Sequence, residues 1–120
     1  RLTEDSSVVF LTGMMQDKDY KEMLKIVLSA KQYESAAVIF TQVPDERSAS
    51  AESLLEAAGD ALASVPEQLE MHAMSDYNIA LRKALSLAQS KGAILCVFGS
   101  LYLAGAIRIS MRELQDEACD

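Results

Sequence analysis

The sequence is short of the residues that most often carry chemistry on their own. Its 120 residues include one histidine, His72, and two cysteines, Cys96 and Cys119. Cys96 lies inside an apolar run and Cys119 in the C-terminal tail. They form no CxxC and stand near no histidine cluster, which argues against a zinc site or a redox pair. Two unpaired thiols suit a reducing cytoplasm. No Cys or Ser nucleophile has a base and an orienting group around it in the sequence, so hydrolytic catalysis has little support. His72 reads as a surface or edge-strand residue. Neither G-x-x-x-x-G-K-[ST] nor G-x-G-x-x-G occurs, so the chain brings no phosphate cradle of either kind. No apolar run reaches about eighteen residues, so nothing reads as a membrane span. Basic residues are scattered and the net charge is −7, which repels phosphate backbones and excludes nucleic acid as the expected partner. The N-terminus shows no basic region leading into an apolar block, hence no signal peptide. It begins with Arg1 rather than Met, as a piece of a longer or processed protein would.

What the chain does have is regular alternation. Half of it is hydrophobic, enough for one core and one domain. Ser7 to Thr12 is β-branched and aromatic and ends at Gly13, a strand signature. Asp19 can cap a helix, with Glu22 as its capping-box partner and Tyr20, Met23, Leu24, Val27 and Leu28 on one face. Ala36 to Phe40 reads as a second buried strand, running out to Pro44. Ser48 or Ser50 can cap a helix that turns Leu54, Leu55, Ala58, Ala61 and Leu62 inward. Leu69, Met71 and Ala73 alternate with Glu70, His72 and Met74, as in a half-exposed, edge-like strand. Ser75 can cap a third helix with Leu81, Ala84, Leu85 and Ala88 inside, ended by Gly92. Ala93 to Phe98 is apolar throughout, as strands covered on both faces are. Leu103, Ile107, Met111 and Leu114 stripe the last helix, and Gln115-Asp116-Glu117 is expected to fray. Strand and helix alternate four times, which predicts a three-layer α/β domain with a mostly parallel sheet.

Ligands in such sheets bind beyond the carboxyl ends of the strands. That directs attention to the loops at Gly13–Asp19, Val43–Ser48, Ser75-Asp76 and Gly99-Ser100. Gly99 lets the backbone turn and approach a ligand closely. Ser100 would open the last helix, where free amides and the dipole favour an anion. From spacing alone Ser100 is either a helix cap, the commoner case, or a ligand contact. Lys18 could meet an anion held there, or it belongs with Asp17 and Asp19 to a solvated charge triplet. Arg47 is read as an ion-pair partner of nearby acids in preference to a ligand contact. The six methionines read as packing. A phosphorylation-receiver domain would need acids ending the first strand and a Lys ending the last. Here stand Thr12-Gly13 and Gly99-Ser100.

Two of these loops carry a resemblance. Gly13-Met14-Met15-Gln16-Asp17-Lys18-Asp19-Tyr20 resembles the GMMxDKD stretch of the folylpolyglutamate synthase/dihydrofolate synthase family. Val97-Phe98-Gly99-Ser100-Leu101-Tyr102-Leu103-Ala104-Gly105-Ala106-Ile107-Arg108 resembles that family's TGSLYLVGEVR segment. Thr41 to Ser48 is similar to its middle loop, departing at Asp45, Glu46 and Ser48 from the family's more usual Asn-x-Arg-Ala. The matches keep their order and spread over nearly the whole chain.

The resemblance implies a Rossmann-like C-terminal domain of the Mur ligase superfamily, spanning residues 1–120. Those enzymes use ATP and Mg2+ to phosphorylate a carboxylate, which an incoming amine then attacks. In the folate branch, glutamate is added to dihydropteroate or to a folate's glutamyl tail, in folate biosynthesis and one-carbon metabolism. It implies that the central ATPase domain of the same polypeptide holds nucleotide and metal, leaving no catalytic or metal residue in this chain, which would be inactive alone. It further implies that Lys18 and Ser100 contact the carboxylates of the incoming glutamate, reversing the preference for a mere cap. Asp17, Asp19 and Gly99 match by motif and would bind or shape the same site. The family's Asp-Gly-Ala-His-Asn-Pro motif has no counterpart before Gly13, so one strand and one helix of the domain are expected to be missing. A non-catalytic binding module of this fold and a peptidoglycan-branch ligase domain are the alternatives.

Overall fold

In the computed structural model the described residues are 7–16, 22–24, 26, 34–61, 70–99 and 101–119. Strand β1 (Ser7–Thr12), strand β2 (Glu34–Phe40), helix α1 (Ala51–Ala61), strand β3 (Glu70–Ala73), helix α2 (Tyr77–Lys91), strand β4 (Ile94–Phe98) and helix α3 (Leu101–Cys119) follow in that order. Residues 22–24 and 26 are also helical, between β1 and β2. The four strands form one sheet in the order β3-β2-β1-β4, and all three pairings are parallel. This is the Rossmann-like α/β alternation that the sequence predicts.

Side chains alternate across the sheet because successive Cβ atoms point to opposite faces. Val8 and Phe10 of β1 and Val38 and Phe40 of β2 join Leu24 and the α1 residues Ala51, Leu54 and Ala58 on one face. Val9, Leu11, Ala37 and Ile39 pack on the other face with Ala80, Leu81, Ala84 and Ala88 of α2 and Leu103 and Ile107 of α3. The layers are therefore helix, sheet, helix. No helix among the described residues is long and apolar enough to cross a membrane.

Strand β3 lies at one edge and is half-buried, as its alternation predicts. Strand β4 departs from expectation. It touches both cores, Leu95 and Val97 on one face and Cys96 and Phe98 on the other. It nevertheless occupies the opposite edge, so its residues are only partly covered and Ile94 is 43% exposed. An apolar run reports contact on two faces, not a neighbour on both sides. The Phe98 ring meets Phe10 edge to face at 5.6 Å between centroids, a favourable aromatic arrangement.

Local signals mostly select the helix ends. Ser50 caps α1, accepting from the Ser53 amide at 3.1 Å. The expected cap of α2 was Ser75; the cap is Asp76, whose Oδ1 accepts from the amides of Asn78 at 2.8 Å and Ile79 at 3.3 Å. Gly92 ends α2 in the left-handed region at φ 62°. The stretch expected to fray, Gln115 to Glu117, continues α3, which runs to Cys119. Met23, expected on a buried face beside Leu24, is 38% exposed while Leu24 is fully buried. Tyr20, Val27, Leu28, Leu62 and Leu69 lie outside the described residues.

His72 sits on the β3 edge strand, its Nε2 2.5 Å from Glu70 Oε2, with Lys91 Nζ 3.7 Å from Glu70 Oε1. The hydrogen bond from His72, aided by Lys91, holds the Glu70 carboxyl below its ordinary value. A carboxyl depressed in the folded state contributes stability above its unfolded pKa and loses it as pH falls through its folded pKa. Replacing His72 with Ala should move the Glu70 titration, followed by side-chain carboxyl NMR, up toward the ordinary carboxylate range. An unmoved titration would contradict this account of the pair.

Candidate functional site at the carboxyl ends of β1 and β4

Because the strands are parallel, the chain leaves β1, β2 and β4 at the same end of the sheet. Strand β1 is central between β2 and β4. Its exit is fastened to the loop after β2. The Thr41 amide donates to the Thr12 carbonyl at 2.8 Å, and Ala49 N–H donates to the Met14 carbonyl at 2.8 Å. Met15 and Ser48 form an antiparallel bridge, and Gln16 N–H donates to the Arg47 carbonyl at 2.8 Å. The Gln16 amide nitrogen adds a bond to the Ser48 carbonyl at 3.3 Å. Met14 and Met15 are buried there, so the exit is seated both by hydrogen bonds and by apolar contact.

The loop after β2 stabilises itself. Ser48 Oγ accepts from the Val43 amide at 2.9 Å and donates to the Ala49 carbonyl at 2.9 Å. That use of its hydroxyl leaves the cap of α1 to Ser50. Arg47 pairs with Asp45, Nε to Oδ1 at 3.3 Å, which is the ion-pair reading of this residue. The Arg47 backbone N–H, and then its guanidinium, hold the Asp45 carboxyl below its usual value.

The exit of β4 presses directly on that of β1. Gly99 has φ 111°, where side chains are strained. A Cβ there would stand 2.7 Å from the Gly13 carbonyl oxygen, 2.7 Å from Thr12 Oγ1 and 3.0 Å from Met14 Cγ. Glycine is thus needed twice over, for the backbone angle and for the approach. Helix α3 starts at Leu101, directly past this turn. Its first amides have no partner within the helix and carry the positive end of the dipole.

Of the five site residues expected from the sequence, Gly99 is at this junction. Asp17, Lys18, Asp19 and Ser100 lie outside the described residues. Periodicity did not single out two further residues, Thr12 and Thr41. Both are fully buried at the strand ends, and each hydroxyl is without a hydrogen-bond partner among the described residues. Among the described residues no group of three or more His, Cys, Asp or Glu could hold a metal ion. With no phosphate cradle in the sequence either, the described residues do not by themselves form an ATP–Mg2+ site.

A family profile for the C-terminal domain of dihydrofolate synthetase matches residues 1–111. The chain belongs to that family. Its fold is also similar to that of solved structures of Mycobacterium tuberculosis folylpolyglutamate synthase. The structure reported as complexed with ADP and AMPPCP has 21% identity and a TM-score of 0.70, covering 89% of this chain and 23% of that one. A second, complexed with ADP, has 22% identity and a TM-score of 0.67, covering 89% and 24%. At such identity the likeness establishes the fold. This domain spans about a quarter of the length of those synthases. Among curated proteins none matches its sequence.

Proposed function

We propose that this domain clamps the incoming amino acid in an ATP-dependent ligase that adds L-glutamate to dihydropteroate or to folylpolyglutamate. The observation carrying this reading is the contact between the exits of β1 and β4, with Gly99 wedged against Gly13 and Thr12. Lys18 follows the first exit and Ser100 follows Gly99 immediately. An ammonium group and a hydroxyl at the mouth of a helix N-terminus are suited to carboxylates. Their roles are to hold and orient glutamate so that its amine faces the carboxyl group to be joined. Asp17 and Asp19 shape the Lys18 loop, and Gly99 sets the turn. ATP and Mg2+ are held by the central domain of a longer polypeptide, and this domain alone is inactive. The enzyme works in the cytoplasm.

The test uses the full-length ligase carrying this domain. Replacing Lys18 or Ser100 with Ala removes a charge-assisted contact, which costs ~1.5–3 kcal/mol, or about ten- to a hundred-fold in kcat/KM for glutamate. The KM for nucleotide should stay unchanged. A glutamate KM and kcat/KM within about twofold of the parent in both variants would contradict the reading. Assay with a folate acceptor beside a UDP-linked one separates the folate from the peptidoglycan branch.

A further inference from the structure

A buried hydroxyl ordinarily has a partner, because burying one unpaired is unfavourable. Thr12 breaks this rule in a place that matters. It is the last residue of the central strand, fully buried, paired in register with Phe98 of β4 and Phe40 of β2. Its Oγ1 has no partner among the described residues and lies 2.7 Å from where a Gly99 Cβ would be. Valine has the same branching, better strand-forming character and no hydroxyl to satisfy. A threonine here therefore needs a state of the protein in which its hydroxyl is bonded. The turn at Gly99 stands beside that hydroxyl and leads into the first amides of α3.

We propose that Thr12 is a positioning residue for the amino-acid carboxylate. Its hydroxyl gains its hydrogen bond from the Gly99 turn when a carboxylate docks at the N-terminus of α3. An interaction absent from the free state and present in the bound one adds directly to binding. The inference rests on the glutamate-clamp reading and deepens it by naming the residue beneath the clamp. Thr12 acts through the turn, since it is itself fully buried.

The experiment compares Thr12→Val, Thr12→Ala and Thr12→Ser in the full-length ligase. Thr12→Val should raise the KM for L-glutamate about ten-fold, the size of one hydrogen bond at a binding site. The KM for nucleotide should not move, and the melting temperature should hold or rise. Thr12→Ala should raise the glutamate KM likewise, and Thr12→Ser should restore it. A purely structural hydroxyl would give the reverse pattern: a lower melting temperature in Thr12→Val and a glutamate KM within twofold of the parent. That result overturns the proposal. Lys18→Ala, run alongside, keeps the two readings apart. A raised KM in Lys18→Ala with none in Thr12→Val defeats the positioning role alone. A raised KM in Thr12→Val with none in Lys18→Ala defeats the clamp and upholds the link between this hydroxyl and the amino acid.

Discussion

Replacing Gly99 with alanine is expected to destabilise the protein by about 2–6 kcal/mol and to raise the KM for glutamate sharply. Two costs combine. At φ 111° a side chain is strained, on the order of 1–3 kcal/mol. The added methyl also enters a space already filled, 2.7 Å from both a backbone oxygen and a buried threonine, and overpacking of this kind costs about 1–3 kcal/mol. Neither obstacle is the tip of a flexible side chain, so relief requires β1 and β4 to part at their exits. Denaturant unfolding checks this: the midpoint should fall with the slope unchanged. A loss below about 0.5 kcal/mol would mean that the exits are not in close contact, since only a mild surface effect is that small.

Phe40→Ala should cost about 3–5 kcal/mol through lost burial and the cavity left behind. Phe40 is fully buried on β2, among Val8, Phe10, Val38 and Leu54. Its strand is flanked by β1 and β3, so neither sheet edge can relax to fill the void. Natural domains are stable by only about 5–15 kcal/mol, so this one change removes a large share of the total. Phe40→Leu keeps most of the volume and should cost under about 1.5 kcal/mol. Equal losses for the two variants, read from thermal unfolding, would place the Phe40 ring outside the tightly packed core.

The fold was readable because its strongest signals are local. Val8 to Leu11 and Val38 to Phe40 are apolar without interruption, and both runs are buried, covered by helices on both faces. Alternation at Glu70 to Ala73 marked an edge strand for a physical reason, since β3 pairs with β2 alone among the described residues and all four of its residues are half-buried. What stayed hidden is non-local. The run at Ile94 to Phe98 could not announce that β4, among the described residues, pairs on one side alone, because pairing depends on β1. Ser75 and Asp76 are both capping residues, and only the geometry of the first turn chooses Asp76.

The site was legible to different depths. Gly99 stood out as a turn residue, while the atoms that make it necessary, Gly13 O and Thr12 Oγ1, come from a strand far away in sequence. Arg47 was read correctly from its acidic neighbours, because its partner Asp45 is two residues away. Thr12 looked like one more β-branched strand residue. Its significance depends on what β4 places beside it, which no periodicity reports. Lys18 and Ser100 are expected from their motifs, and both lie outside the described residues.

The central claim is that Lys18 and Ser100 grip a single glutamate molecule, and a double-mutant cycle on the glutamate kcat/KM of the full-length ligase addresses it directly. Residues sharing one ligand are coupled, so the Lys18→Ala/Ser100→Ala variant should lose less than the sum of the single losses, by about 1 kcal/mol or more. Losses that add to within about 0.3–0.5 kcal/mol would show two independent residues and contradict the shared grip.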